Sequence, residues 1–155
     1  MLKYRDIFDA RVSAFVNKTQ KYIQSAVIGE IGNNTFDHNF TFDDKHIRGT
    51  YFNYDYLENC VILADYGKGL LASLSKVTDV NNCLEALKIA FIKEVSSRIN
   101  EKRGNGLKYV YNTVLTNKWD LYFQSGNGCC VIDNGISKFE ETSDFLIGCF
   151  AVIKY

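Results

Sequence analysis

Glu30, Asn34 and His38 stand four residues apart within Glu30-Ile31-Gly32-Asn33-Asn34-Thr35-Phe36-Asp37-His38. On a helix turning ~100° per residue, the three fall within about 80° of arc and share a face. A carboxylate, an amide and an imidazole one turn apart could provide a general base and an oxygen ligand for Mg²⁺. The same spacing also describes a solvated polar face. Gly29 and Gly32 lie inside this pattern, at about 1 kcal/mol each relative to Ala in a helix interior. Such glycines often admit another backbone or a ligand, and Ile28 and Ile31 put the polar triplet at the edge of a core. A second group, Asp65-Tyr66-Gly67-Lys68-Gly69, directly follows the apolar run Cys60 to Ala64. An Asp there can accept a hydrogen bond from an exocyclic amine such as adenine N6, with the glycines letting the chain pass close to a ring. It also fits a plain strand-to-loop turn. A third group, Arg103-Gly104-Asn105-Gly106-Leu107, precedes a helical pattern and is flanked by Lys102 and Lys108. Free backbone N–H groups opening a helix suit a phosphate. The group fits a glycine-rich surface loop as well, and it is neither a Walker A motif nor a complete Rossmann fingerprint.

The elements that must hold these groups can be read from periodicity. Phe8, Val12, Phe15, Val16, Ile23, Val27 and Ile31 recur at helical spacing. They predict one long helix to about residue 38, or two helices broken near Asn17-Lys18-Thr19. Residues 49–54 and 60–64 read as strands joined by a short connection. Cys83, Leu84, Leu87, Ala90, Phe91 and Val95 mark another helix, with Asp79 or Asn81 as its N-cap. Leu107, Val110, Tyr111, Val114 and Leu115 mark a third helical region. Trp119 to Gln124, Cys129 to Ile132 and Phe145 to Lys154 read as strands, and Ser125-Gly126-Asn127-Gly128 as a tight hairpin between the first two. Helices and strands are grouped, not alternated, which predicts an α+β fold with helices on one sheet face.

With 155 residues, the chain has about the length of one domain. Its 18 basic and 18 acidic side chains cancel, which argues against a nucleic-acid binder acting through its overall field. The 46% hydrophobic content is that of an ordinary globular protein. No apolar run approaches the roughly 20 residues of a membrane-spanning helix, and the N-terminus has no signal-peptide core. Proline is absent and the five cysteines lack C-x-x-C spacing. Reduced thiols in a cytoplasm are therefore expected, with no zinc site.

In order and spacing, the three groups resemble the ATP-binding fold of the histidine-kinase-like (GHKL) family. Its members include histidine-kinase catalytic domains, anti-sigma-factor serine kinases, mismatch-repair ATPases, type II topoisomerases and heat-shock chaperone ATPases. Glu30-x-x-x-Asn34-x-x-x-His38 looks like that family's N box, Asp65-Tyr66-Gly67-Lys68-Gly69 like its G1 box, and Gly104-Asn105-Gly106-Leu107 like its G2 box. The resemblance covers roughly residues 20–155. It implies a two-layer α/β sandwich with a mixed, mostly antiparallel sheet, and ATP bound between helices and sheet under a lid within about residues 70–103. It also implies that Asn34 ligates Mg²⁺, Asp65 takes the adenine amine, and Gly67 and Gly69 leave room beside the base. Gly104, Gly106 and Leu107 would form the phosphate loop, and Glu30 would act as general base.

The single domain, residues 1–155, matches the size of the stand-alone anti-sigma serine kinases. The expectation is thus a cytoplasmic kinase that transfers the γ-phosphate of MgATP to a Ser or Thr of a regulatory partner protein. The alternatives are an ATP-hydrolysing switch and a non-catalytic module, nucleotide-binding or degenerate, that sequesters a partner protein. Neither a membrane nor a nucleic acid is expected as partner. The amphipathic stretch within residues 1–18 could dock a partner or a second copy in a homodimer, or pack on its own domain.

Overall fold

The structure, a computed structural model, describes residues 2, 4–38, 49–92 and 105–155. The helical N-terminal pattern resolves into α1, Arg5–Thr19, and α2, Tyr22–His38. The break falls at Gln20, a left-handed residue (φ 59°) whose N–H caps α1 through the Val16 carbonyl. It lies just beyond the expected Asn17-Lys18-Thr19. Strands β1, Thr50–Asp55, and β2, Cys60–Asp65, follow. Then come α3, Gly69–Leu74; α4, Cys83–Ile92; and α5, Gly106–Asn117. Two long strands close the chain: β3, Asp120–Asp133, and β4, Ile136–Lys154.

The strands form one sheet in the order β1-β2-β4-β3. Every pairing in it is antiparallel. The expected mixed sheet is therefore corrected: among the described residues no parallel pair occurs. Side chains alternate across the sheet, as the period of two requires. Val61 and Leu63 of β2, Leu121 and Phe123 of β3, and Ala151 and Ile153 of β4 are buried under the helices. From the helix side they meet Phe8, Phe15, Val27, Ile28, Leu87, Phe91, Val110 and Val114. The result is a two-layer α+β arrangement with one main core.

α1 is bound into this core through its apolar face. Phe8 and Phe15 are fully buried. The Phe8 ring lies 5.7 Å from that of Phe52 and 5.9 Å from that of Phe36. It also occupies the space a side chain on Gly32 would need. The glycine inside the N-box-like helix thus serves helix–helix packing. Arg5 pairs with Asp37 at 2.5 Å and lies 5.6 Å from the Phe36 ring, closing the other end of the α1–α2 contact. The apolar face of residues 4–18 is thereby used within the domain.

Two local expectations are corrected. The N-cap of α4 is Asn82, whose Oδ1 accepts the Glu85 N–H at 2.8 Å, while Glu85 Oε2 accepts the Asn81 N–H. This is close to a capping box, one residue out of register. Ser125-Gly126-Asn127-Gly128 is not a hairpin either, because it lies inside β3, where the register with β4 slips twice. β4 accommodates the extra residues as bulges, and the buried Gln124 amide donates toward Gly126 O, Asp144 O and Thr142 Oγ1 there. The start of α4 sits directly on this segment, so a side chain on Gly128 would strike the Cys83 backbone.

The hairpin turn is Asn134-Gly135, with φ of 49° and 78°. Two successive positive φ values are the type I′ signature, for which Asn-Gly is the preferred pair. Gly135→Ala is expected to lower stability by about 1–2 kcal/mol, the penalty of a left-handed residue bearing a Cβ. An unchanged urea midpoint would show that the turn does not depend on that conformation.

Candidate functional site

α2 carries the first group of candidate residues, and it touches both of the others. Glu30 lies on its exposed side. Its carboxylate reaches the start of α5, where a side chain on Gly106 would collide with Oε2. A carboxylate at a helix N-terminus is stabilised by the free N–H groups and the dipole there. Asn34, one turn on, is partly buried, and its Nδ2 has no hydrogen-bond partner. Asn33 Oδ1 is likewise buried and unpartnered. Buried polar atoms are seldom left so, and each calls for a ligand or water.

Thr35, on the sheet-facing side of α2, links it to the second group. Its hydroxyl donates to Asp65 Oδ2 at 3.1 Å. Asp65 closes β2 and is 6% exposed. Its Oδ1 accepts the Gly67 N–H at 2.8 Å, an Asx-type turn that fixes the carboxylate. A Cys149 backbone N–H also donates to it. Burial raises the Asp65 carboxyl above its ordinary range, and these hydrogen bonds pull in the opposite direction.

Gly69 is buried at the start of α3 with φ 75°. The space beside it is taken by Ser125 Oγ and the Gly148 carbonyl. Ser125 Oγ accepts the Leu70 N–H and donates to Gly148 O. Gly148, at φ 91°, lets β4 pass against the Asp65 backbone, a contact that any side chain would block. The neighbouring Cys149 thiol is pushed well above its ordinary value, by burial first and then by the Asp65 charge.

Of the third group, Gly106 opens α5, and Leu107 is buried in the main core. Gly104 lies outside the described residues. Of the expected lid segment, α4 packs into the main core through the fully buried Leu87 and Phe91. Residues 93–103 lie outside the described residues.

A cavity of about 10 Å³ lies at Asp65, the room of about one water molecule. Ile31, Gly32, Thr35, Thr50, Leu63 and Phe150 are among its walls. The structure thus brings Glu30 to Gly106, and Asp65 to Thr35 and Gly67. Thr35, Thr50, Ser125 and Cys149 join the site without being among the residues expected there. Thr35 carried a usable signal: with Val27 and Ile31 it continues the apolar stripe at i, i+4 and i+8, and a polar residue on a buried stripe calls for a partner. Thr50 carried none.

A scan against protein-family models and a search of curated proteins each return no match for the chain. The functional reading therefore rests on the residues and their geometry.

Proposed function

We propose that the chain is an ATP-binding domain of the histidine-kinase-like type, acting as a stand-alone cytoplasmic kinase on a Ser or Thr of a partner protein. The observation that carries the reading is the convergence on α2. One helix holds Glu30 against the start of α5 and Thr35 against Asp65. A nucleotide lying along such a helix would meet Asp65 with its base amine and the start of α5 at Gly106 with its phosphates. Glu30 would then stand beside the phosphates as a base for an incoming hydroxyl. Asn34, with its unpartnered buried amide, supports a role as oxygen ligand to Mg²⁺ once the amide is turned, since the two amide orientations are an assignment. Among the described residues no group of three or more His, Cys, Asp or Glu could hold a metal. Mg²⁺ usually arrives on the phosphates and takes only one or two protein ligands.

The size of the cavity favours a second reading. With room for about one water, it admits a base only if its walls part. A degenerate module that sequesters a partner protein without nucleotide needs no such opening.

Thermal unfolding with MgATP, MgGTP and EDTA separates the two. At ligand near 100 times Kd, binding adds ~2.7 kcal/mol, a rise of very roughly 5–10 °C for this size. No shift at millimolar MgATP would leave the partner-binding module as the better account. If the domain turns over ATP, Glu30→Gln should abolish turnover and preserve MgATP binding. Unchanged turnover in that variant would remove Glu30 from the chemistry.

A further inference from the structure

Thr50 opens β1 and is directly paired with Asp65 across the β1–β2 ladder. Opposed residues on antiparallel strands point to the same face, with Cβ atoms about 5 Å apart. Thr50 is 1% exposed, and its hydroxyl has no hydrogen-bond partner. It lines the same cavity as Asp65 and Thr35. A hydroxyl buried without a partner is costly, by about 1–3 kcal/mol, and a strand position this deep would ordinarily hold an apolar residue. The backbone of Thr50 is fully engaged, exchanging N–H and carbonyl bonds with Leu2, so the side chain is not needed to hold the strand. The other hydroxyls at the site are committed, Thr35 to Asp65 Oδ2 and Ser125 to Leu70 and Gly148.

We propose that Thr50 is the specificity-determining residue of the base site, donating its hydroxyl hydrogen to the ring nitrogen beside the amine that Asp65 accepts. The inference rests on the nucleotide-binding reading and extends it to a residue outside all three motifs. Asp65 offers an acceptor and Thr50 a donor, side by side. The complementary edge carries an amino N–H next to an unprotonated ring nitrogen, as adenine does. Guanine presents a carbonyl oxygen to the carboxylate, which repels it, and an N–H to the hydroxyl, which must then turn from donor to acceptor. In the free protein the cavity has room for the one water that would satisfy Thr50.

The test compares ATP, 1-deaza-ATP (ring nitrogen replaced by C–H) and GTP by calorimetry, each with Mg²⁺, on wild type, Thr50→Ser and Thr50→Val. Valine keeps the shape of threonine and breaks no protein hydrogen bond, so Thr50→Val should fold. Wild type and Thr50→Ser should prefer ATP to 1-deaza-ATP by about tenfold, the worth of one hydrogen bond. Thr50→Val should lose that preference and bind both alike. A purely structural role for Thr50 would move both affinities together and leave their ratio intact. If ATP binds and Thr50→Val keeps the wild-type ratio, the assignment of Thr50 is overturned and the nucleotide reading stands. If no variant binds ATP, the nucleotide reading falls and the role of Thr50 falls with it.

Discussion

Asp65→Asn is expected to abolish adenine-nucleotide binding while leaving the unfolding temperature at pH 7 no lower than that of wild type. The carboxylate is buried at 6% exposure. Its ionised form is disfavoured by burial more than it is favoured by the N–H groups of Gly67 and Cys149 and the hydroxyl of Thr35, so its folded-state pKa is raised. The unfolded chain titrates near the ordinary value of about 3.9. Below that value both states are protonated and ionisation makes no difference. As the pH rises through the folded-state pKa, the buried group must ionise, and the folded protein loses stability relative to the unfolded chain. Asparagine escapes this loss: its carbonyl can still accept the Gly67 N–H, and the Thr35 hydroxyl can turn to accept from the amide. The advantage of Asp65→Asn should therefore grow from pH 4 to pH 7. Two results would sink this account. Intact MgATP affinity would remove Asp65 from base recognition, and a variant that loses ground to wild type as the pH rises would show that the hydrogen bonds outweigh the burial.

The largest effect on stability should come from Phe8→Ala. Phe8 is fully buried, meets Phe36 and Phe52 edge-on or tilted, and fills the notch that Gly32 leaves in α2. Truncating it removes the transfer energy of the ring and leaves a cavity, because the glycine opposite it has no side chain to move in. Such Phe-to-Ala changes cost about 3–5 kcal/mol, a large share of the stability of a domain this size. The unfolding temperature should fall by roughly 6–20 °C. A loss below about 1 kcal/mol by urea titration would mean that α1 is not part of the cooperative core. Since Phe8 clamps the helix that carries Glu30, Asn34 and Thr35, nucleotide-induced stabilisation measured as a shift should shrink as well.

What could be read from the chain alone is whatever depends on near neighbours. The 3.6-residue period placed Glu30 and Asn34 on one face of α2, and the run Cys60 to Ala64 with its Asp-x-Gly-x-Gly end placed Asp65 at a strand terminus. Gly106 opens a helix as its apolar spacing required. The sites of turns were less secure, since several segments carried competing turn chemistry. Ser125-Gly126-Asn127-Gly128 has the glycines of a hairpin, yet α4 packs its first residue onto them and Gln124 ties the bulge. The chain turns instead at Asn134-Gly135, the stronger type I′ pair, because only that turn lets residues 120–125 pair with 149–154. The role of Gly32 was likewise open: a helical glycine predicts a close approach, and the identity of the approaching group, Phe8, comes from a residue 24 positions earlier. The site itself is mostly a tertiary product. Asp65 meets Thr35, 30 residues away in sequence, and faces Thr50 across a hairpin. Glu30 meets the start of a helix that begins at Gly106. Hydrogen-bonding partners this far apart leave no mark in local spacing, because each is chosen by the packing of whole elements and not by its neighbours in the chain.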